Sequence, residues 1–405
     1  MKKKILFVYD SMMIGGTSTA LLSLMQALDR EKFDISLLLY TNTGELLSEI
    51  PDFVHILEPA YKPLRYLDSR KRKIIRTVLN GNVFLALSAL LKYRNTPKGN
   101  FRGILMHYGM KSQVSLSRVV REHYDYAIGF MEGWANQYVA SGKISAKQKY
   151  VWVHPQYKSC YLIPEIDRKI FKRVDGIALV SENCTDQFVE FFPEFRDKIR
   201  ILPNIISQEY LWKKAGCASV PIHKAKINFC TVSRCDIKVK GLDRLLDVFC
   251  SLKAEGLCKD VLWHFIGGGS DLERFRAEVE SRNMTDTVVL YGNQKNPLPY
   301  VCQMDAFVLA SRYEGKPISV TEAQILGLPC MVTRYESAPS QVKDHYNGVI
   351  MDNTYESIYK HIKTVIQNPS LLNEWRENTV CESYTNEYDI DKFYALLGNQ
   401  LEEEH

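Results

Sequence analysis

The stretch that decides the fold is residues 306–333, which read AFVLASRYEGKPISVTEAQILGLPCMVT. Apolar, β-prone residues at 306–309 and 329–333 flank a segment with helical periodicity at 319–326. Gly315 and Pro317 lie just before that segment, where the start of a helix is expected. A strand, a helix and a second strand in this order form the repeating unit of a parallel α/β sheet.

The same alternation extends along the chain in both directions. In the second half it predicts further strands at 227–232, 261–266 and 288–291, with helices at 241–255, 271–282 and 357–367. In the first half it predicts a helix at 17–28 and strands at 4–9, 34–40, 126–130, 150–153 and 176–180. We therefore expect an α/β protein with two doubly wound, Rossmann-like parallel sheets in tandem.

The length of 405 residues suits two domains, each large enough to bury its own core. We predict one domain at 1–203 and a second at 204–384, because the segment 202–225 has the prolines, lysines and poor periodicity of a linker. A final helix at 389–401 is expected to cross back, so that residues 385–405 join the first domain. Ligands of such sheets bind at the carboxyl ends of the strands, and a cleft between the two sheets is the expected site.

Composition and charge exclude several classes of protein. The chain is 46% hydrophobic and 24% charged, with a formal net charge of +5, which fits a globular protein and does not indicate nucleic-acid binding. Its cysteines include no Cys-x-x-Cys pair, so free thiols are expected. No apolar run approaches the length of a membrane span, and the N-terminal run from Ile5 to Tyr9 is too short for a signal-peptide core. The sequence thus predicts a cytoplasmic protein.

Two glutamates in the stretch 306–333 carry the first functional signal. Glu314 lies in the predicted strand-to-helix turn, and Glu322 follows about two helical turns later. The free backbone N–H groups of a helix start bind anions such as a diphosphate. Carboxylates beside them accept hydrogen bonds from sugar or ribose hydroxyls. By their spacing alone, two such glutamates are also expected on an ordinary solvated helix.

In its context, this pair resembles the motif of the GT4 family, retaining glycosyltransferases with the GT-B fold. The family has a Glu-x7-Glu pattern ahead of Gly-x-Pro and a strand, and Glu314, Glu322 and Gly327-Leu-Pro329 match it. The resemblance implies that Glu314 meets hydroxyls of the donor sugar and that Glu322 binds the ribose of the nucleotide. It also implies that the helix start touches the diphosphate, which assigns to the donor site Gly315, Lys316, Pro317, Ile318 and Ser319.

Two cations strengthen the resemblance. Arg234 follows the predicted strand at 227–232, and Lys240 precedes the next helix. Family members place an arginine and a lysine at these positions, which implies that Arg234 and Lys240 clamp the diphosphate. Departure of the nucleotide leaves negative charge on the β-phosphate, and fixed cations stabilise that transition state more than the ground state. A pair of ordinary surface cations is the alternative.

Glycine-rich turns after other strands are further candidates for the donor site. Gly268 lies in a run of three glycines, where the backbone either approaches a ligand closely or simply turns. Asn293 follows a later strand, near the point where family members bind the nucleotide base. Gly15 and Gly16 follow the first strand, and the family carries a similar turn at the cleft. Their spacing does not fit a dinucleotide fingerprint, which counts against a dehydrogenase.

The first domain contributes a histidine. His154 ends the predicted strand at 150–153, and family members carry a cleft-facing histidine in this domain, so the resemblance adds His154 to the catalytic residues. Glu132 is a candidate for the acceptor side. Asp389-Ile-Asp391 has the form of a metal-binding Asp-x-Asp motif, but it opens the terminal helix and is expected to cap it. We expect no metal ion and no separate cofactor.

Basic residues dominate the segment 62–102, in which Asp68 is the single acid. Such a segment can rest on an anionic membrane surface, where each cation contributes about 1 kcal/mol. It can equally form a solvated basic face. The lipid-linked acceptors common in the family favour peripheral contact with the inner face of the cell membrane.

The resemblance implies a metal-independent hexosyltransferase that acts with retention of configuration. Its donor would be a nucleotide diphosphate sugar, with uridine as the base, bound by the second domain. Its acceptor would be a glycan or a lipid-linked glycan, bound by the first domain, in bacterial surface or capsular polysaccharide biosynthesis. Two alternatives stay open: a catalytically silent glycosyltransferase-like subunit, and a GT-B sugar-nucleotide epimerase or phosphorylase. The silent subunit is expected to have lost the clamp residues that this chain retains.

Overall fold

A computed structural model of the chain describes residues 2–61, 101–154, 157, 163–216 and 220–398. The side chains of the basic segment at 62–102 lie outside the described residues, so its membrane contact stays a prediction. The chain divides into two compact units. The first comprises Met1–Met13, Thr17–Ile205 and Glu387–His405, and the second comprises Ile14–Gly16 and Ile206–Asn386.

The first unit contains a seven-stranded sheet. Its strands are β1 (Lys3–Tyr9), β2 (Phe33–Leu39), β3 (His55–Ile56), β4 (Val120–Gly129), β5 (Ile144–Val153), β6 (Gly176–Leu179) and β7 (Ile199–Ile201). The spatial order is β3-β2-β1-β4-β5-β6-β7, and all neighbouring pairs are parallel. The helices before, between and after these strands are α1 (Gly16–Ala27), α2 (Phe101–Leu116), α3 (Trp134–Val139), α4 (Pro164–Phe171) and α5 (Glu182–Phe191).

The apolar runs of the sequence explain why this sheet is parallel and central. Ile5, Leu6, Phe7 and Val8 of β1 are all 0% exposed, so consecutive residues are buried on both faces of the sheet. Strands covered on both faces read as continuous apolar segments, because helices pack on each side. The prediction of a doubly wound sheet is confirmed for this unit.

The second unit contains a six-stranded sheet. Its strands are β8 (Ile227–Val232), β9 (Val261–Ile266), β10 (Val288–Gly292), β11 (Ala306–Leu309), β12 (Cys330–Thr333) and β13 (Gly348–Met351). The order is β10-β9-β8-β11-β12-β13, again with parallel neighbours. The helices are α6 (Gln208–Gly216), α7 (Leu242–Ala254), α8 (Leu272–Ser281), α9 (Leu298–Val301), α10 (Ile318–Ile325), α11 (Ala338–Gln341), α12 (Tyr355–Gln367) and α13 (Ser370–Val380).

The core of the second unit is built around aromatic residues of β9 and α7. The indole of Trp263 stacks on Phe249 with ring centroids 5.4 Å apart, and its Nε1 donates to Thr231 Oγ1 at 3.0 Å. This hydrogen bond satisfies the buried indole N–H, which would otherwise destabilise the fold. The sheet that carries the predicted donor residues is therefore anchored by a well-packed core.

The terminal helix, α14 (Ile390–Leu396), packs on the first unit as predicted. The ring of Phe393 stacks on Phe7 at 6.4 Å, and Tyr394 stacks on Phe33 at 5.6 Å. The expected capping by Asp389 is wrong, because its side chain makes no capping hydrogen bond and instead pairs with Lys392 at 2.6 Å. The ammonium group of Lys392, rather than a backbone N–H group of the helix start, pairs with this carboxylate.

The predicted linker at 202–225 contains a helix that the periodicity did not reveal. Helix α6 lies inside it and buries Leu211 and Ala215 one turn apart. The edge strands β3, β7 and β13 were also missed; β3 and β7, with two and three residues, are too short to show a pattern. Within the described ranges, no helix is long and apolar enough to cross a membrane.

Both sheets reverse their strand order beside the first strand of the sheet, between β1 and β4 in the first unit and between β8 and β11 in the second. At such a switch point the connections on the two sides leave toward opposite faces, which opens a crevice at the carboxyl ends of the strands. The residues that follow β1, β4, β8 and β11 are therefore the ones to inspect for chemistry.

Candidate active site

The switch point of the second unit brings a predicted cation and a predicted carboxylate together. Lys240 Nζ donates to Glu314 Oε1 at 2.6 Å, and Ser311 Oγ donates to the same oxygen at 2.6 Å. The side chains of the lysine and the glutamate are only 18% and 11% exposed. Within the described residues, Glu314 Oε2 accepts no hydrogen bond. Glu314 is therefore held in place by one oxygen while the other is available to a ligand.

A tight turn after β8 positions Lys240. Its N–H donates to Asp236 O at 2.9 Å, and Asp236 Oδ1 accepts from Val239 N at 3.0 Å. The turn closes at Gly241, whose φ of +64° and close approach to the carbonyl oxygen of Ala310 exclude any side chain. Lys240 thus lies at the end of a backbone path that has little freedom to move.

Arg312 ties the loop after β8 to the loop after β11. Its guanidinium donates to Asp243 Oδ1 at 2.9 Å and to Lys238 O at 2.5 Å, and its backbone N–H donates to Val239 O at 2.8 Å. Burial would raise the pKa of Asp243, but the hydrogen bonds from Arg312 and Lys238 outweigh it and lower the pKa overall. The carboxylate therefore stays ionised and fixes the two loops against each other.

Hydrogen bonds from the segment 335–341 fix the turn between β11 and α10. Gln341 Nε2 donates to Pro317 O at 3.1 Å and to Thr321 Oγ1 at 3.0 Å, while its Oε1 accepts from Tyr335 OH at 3.1 Å. Ser337 Oγ donates to the carbonyl oxygen of Gly315. Every polar atom of the Gln341 side chain is thus used to fix the start of α10.

That helix start is open to a ligand. Pro317 is its N-cap with φ −66° and ψ 118°, and no side chain caps the helix. In the described part of the chain, the N–H groups of Ile318 and Ser319 donate to no protein acceptor, and the side chain of Lys316 is exposed. Free N–H groups and the positive end of the helix dipole favour an anion here.

Glu322 lies one helical turn into α10, on a partly buried side of the helix. Burial raises the pKa of its carboxyl to about 7, and no residue of the described ranges donates a hydrogen bond to it. A carboxylate with this little support is stabilised when hydroxyl donors reach it. Its chemistry suits a diol such as a ribose.

The run Gly267–Gly269 brings Arg234 and Asn293 to the same edge of the sheet. A Cβ at Gly268 would lie 2.8 Å from Asn293 Cβ, and one at Gly269, where φ is +148°, would lie 3.2 Å from Arg234 Cγ. Cys235 N donates to Gly268 O at 2.7 Å, which closes the loop after β8 onto this run. The three glycines are therefore required by close backbone packing. Arg234 is exposed.

The remaining predicted residues lie after strands of the first sheet. His154 follows β5, and its Nδ1 lies 3.7 Å from Glu132 Oε2, which also accepts from the His154 backbone N–H at 3.3 Å. Gly15 directly precedes α1, and Gly16 is its first residue. A Cβ at either position would lie no closer than 3.8 Å to another atom. Neither has a positive φ, so their conformation does not by itself require glycine.

Sequence reasoning missed the residues whose hydrogen bonds hold the predicted site residues in place. These residues are Arg312, Asp243 and Gln341. Each pairs with a residue far away in the chain, so the spacing of neighbouring residues does not predict the contact. The signal that was available is position, since Gln341 and Asp243 follow strands β12 and β8 at the same edge of the sheet.

Comparison with known proteins agrees with this geometry. Residues 218–380 match the family "Glycosyl transferases group 1". An uncharacterized 41.2 kDa protein in the cps region of Klebsiella pneumoniae is 28% identical over 249 residues, or 58% of this chain and 65% of that protein. The lipopolysaccharide 1,6-galactosyltransferase of Escherichia coli K12 is 33% identical over 111 residues, or 26% and 30%. The matches thus span less than two thirds of these relatives.

Solved structures are similar along nearly the whole chain. The crystal structure of Anabaena HepE in complex with UDP and glucose superposes with a TM-score of 0.65 at 14% identity, covering 97% of this chain and 98% of that one. The chain therefore has the GT-B fold, and its residues 218–380, which contain Arg234, Lys240, Glu314 and Glu322, match glycosyl transferases group 1.

Proposed function

We propose that this protein is a retaining glycosyltransferase that moves a hexose from a UDP-sugar to a glycan or lipid-linked acceptor in polysaccharide biosynthesis. The observation that carries the proposal is the edge of the second sheet, where a cationic loop, an open helix start and two carboxylates follow adjacent strands. These are the groups that a nucleotide diphosphate sugar requires.

Each part of such a donor has a partner in this arrangement. Lys240, Arg234 and the N–H groups of Ile318 and Ser319 would hold the diphosphate, because they supply positive charge and free donors. Glu322 would accept from the ribose hydroxyls, and Glu314 from the sugar. The two cations would also stabilise the charge that develops on the leaving nucleotide.

The choice of UDP, of retention and of a polysaccharide product rests on similarity. The superposed HepE structure contains UDP and glucose, and one relative is named a lipopolysaccharide galactosyltransferase. Retention follows from the resemblance to GT4, as does the absence of a metal requirement. The donor's own phosphate would help to deprotonate the acceptor hydroxyl. A basic segment at 62–102 supports peripheral contact with anionic membranes.

Thermal unfolding with a panel of nucleotides tests the donor. We expect UDP to raise Tm more than GDP, ADP or dTDP do, because binding to the folded state stabilises it, and EDTA to leave this shift unchanged. Equal shifts with all four nucleotides would remove the preference for uridine. Loss of the UDP shift in EDTA would overturn the proposed metal independence.

Proton NMR of the reaction tests the chemistry. With a UDP-hexose and a glycoside acceptor, we expect a product that keeps the donor's anomeric configuration. An epimerase would instead interconvert free donor without acceptor, and a phosphorylase would need inorganic phosphate. A silent subunit would bind nucleotide and turn over none of these substrates.

A further inference from the structure

Residues 310–312 follow β11, shortly before Glu314, and belong to no helix or strand. Each of their three backbone carbonyl groups nevertheless accepts a hydrogen bond from a side chain of another part of the second unit. We call these three side chains the loop donors, and they are Arg244 of α7, Thr333 of β12 and Asn353, which follows β13. Loops are usually more mobile than the elements they connect, so these bonds hold the segment in one place.

Arg244 connects both ends of this segment. Its Nη2 donates to the carbonyl oxygen of Ala310, and its Nη1 donates to Asn353 O at 3.0 Å and to the side-chain oxygen of Asn353. The amide nitrogen Nδ2 of Asn353 then donates to Arg312 O at 3.3 Å. One guanidinium and one amide group therefore brace the segment 310–312 at its first and last residues.

The guanidinium reaches Ala310 because residue 241 has no side chain. A Cβ at Gly241 would collide with the carbonyl oxygen of Ala310 and would lie 3.1 Å from Arg244 Nη2. Gly241 also has a φ of +64°, which favours glycine for a second reason. The backbone at this point therefore leaves room for the contact between α7 and the segment 310–312.

Glu314 depends on this segment through Ser311. Ser311 is 0% exposed, its carbonyl oxygen accepts from Thr333 Oγ1 at 2.6 Å, and its own Oγ donates to Glu314 Oε1 at 2.6 Å. Lys240, the other partner of this oxygen, is held separately, by a turn in which its N–H donates to Asp236 O at 2.9 Å. The loop donors therefore affect the position of the carboxylate more than that of the lysine.

A second set of donors fixes the residues after Glu314. Ser337 Oγ donates to the carbonyl oxygen of Gly315, and Gln341 Nε2 donates to that of Pro317. Neither bond involves a loop donor, so the start of α10 keeps its support when Arg244 is changed. The two sets meet at Glu314 and support different parts of the site.

We propose that Arg244 is a positioning residue for the donor sugar, because it holds the segment that orients the Glu314 carboxylate. The proposal rests on the proposed function, which assigns Glu314 to the sugar and the start of α10 to the nucleotide diphosphate. It adds that two separate sets of hydrogen bonds support these two parts of the site. Affinity for the sugar can then be lost while affinity for the nucleotide is kept.

Calorimetry with UDP, UDP-glucose and UDP-galactose tests this separation. The measured quantity is the Kd for the UDP-hexose that the wild type transfers, divided by the Kd for UDP. We expect Arg244→Met, which keeps the aliphatic stem and removes the donors, to raise this ratio about fivefold and to change the Kd for UDP by less than about twofold. Asn353→Ala, which removes the group that joins Arg244 to Arg312, is expected to act in the same direction.

Arg376→Met is the matched control. Arg376 Nη2 donates to Met304 O at 2.7 Å and to Asp305 O at 3.3 Å, just before β11, whereas Arg244 donates to a carbonyl oxygen just after that strand. We expect the control to lower Tm and to leave the ratio unchanged. A rise in the control as large as that in Arg244→Met would reflect a general loss of structure and would overturn the proposal.

A double-mutant cycle with Glu314→Ala tests whether Arg244 acts through this carboxylate. In the Glu314→Ala protein we expect Arg244→Met to change the ratio by less than about twofold, because the group that it positions is gone. A full fivefold effect in that background overturns the proposal. Should Arg244→Met fail to fold, Asn353→Ala, which alters an exposed residue, takes its place in the cycle.

Two further outcomes count against the proposal. An unchanged ratio in both Arg244→Met and Asn353→Ala overturns it, and so does an equal loss of affinity for UDP and for the UDP-hexose, which would assign Arg244 to the whole site. Failure of the proposed function is seen separately, in the wild type, as a Tm that UDP does not raise. That result overturns both.

Discussion

The two sheets share one topology, yet the side chains at their switch points have opposite character. In the first unit, Asp10 and Glu132 follow the two strands that flank the reversal, and no described cation neutralises them. In the second unit, Lys240 and Glu314 occupy the corresponding places and pair at 2.6 Å, with Arg234 exposed nearby. One edge is acidic, whereas the other combines cations with a carboxylate.

The difference shows that two sheets with the same strand reversal can carry different side chains at the corresponding place. Strand reversal opens a crevice in each sheet regardless of sequence. The loop after β8 contains Arg234, Lys238 and Lys240, whereas the loop after β1, residues 10–15, contains no lysine or arginine. Four experiments on the second edge measure how far its properties depend on single residues.

Removal of the lysine at the second switch point has the largest expected effect. We expect Lys240→Ala to lower kcat/KM for transfer by about thirtyfold or more, about 2 kcal/mol, because a charge-assisted phosphate contact is lost. Lys238→Ala is the control, since that side chain is 71% exposed and pairs with Asp243. A Lys240→Ala enzyme as active as the control would remove this lysine from the clamp.

Protonation of Glu322 provides a second way to change this edge. Because its pKa is about 7, the carboxyl is fully ionised, and able to accept hydrogen bonds from ribose hydroxyls through both oxygens, only above neutral pH. We expect UDP affinity, measured by calorimetry, to rise about tenfold between about pH 6 and pH 8, and to stay flat in Glu322→Gln. Parallel pH profiles in the two proteins would contradict the assignment.

The same group makes a prediction for the unliganded protein. Its folded pKa lies above the unfolded value, so its contribution to stability is present below the unfolded pKa and is lost as the pH rises through about 7. Denaturant unfolding of Glu322→Gln should lack this loss.

Gln341 offers the smallest and most specific change. We expect Gln341→Leu to raise the Kd for UDP about fivefold, about 1 kcal/mol, because Pro317 and Thr321 lose the donor that fixes the helix start. Gln303→Leu is the matched control, since the amide of Gln303 also donates two hydrogen bonds, to backbone carbonyls at 3.2 and 2.7 Å, but outside the site. If both variants lower Tm while neither changes Kd, Gln341 is only structural.

The sequence was sufficient for those parts of the fold and the site that depend on local patterns. Continuous apolar runs such as Ile5 to Val8 predicted buried parallel strands because both faces of such strands are covered. Gly315 and Pro317 predicted where α10 begins, because such residues are typical of a helix start, so that Glu314 was expected in the turn before the helix and Glu322 within it. Adjacent strands then brought Lys240 to Glu314.

Contacts across long stretches of chain could not be predicted. The bond from Gln341 to Pro317 and the ion pair between Arg312 and Asp243 join distant residues, and no periodicity encodes them. The burial of Asp10 is a further case, since a carboxylate after an apolar strand is usually solvated. Helix α6 was mistaken for linker because only two of its residues are buried.

The return of the chain to the first unit after Asn386 affects how the protein can be dissected. Apart from the short segment Ile14–Gly16, the chain crosses between the units near residue 205 and near residue 387. A protease that cuts near either of them divides the chain into two polypeptides, and a fragment that stops at residue 205 lacks the rings of Phe393 and Tyr394 that cover Phe7 and Phe33. Studying the first unit alone therefore calls for grafting α14 onto it by a short tether.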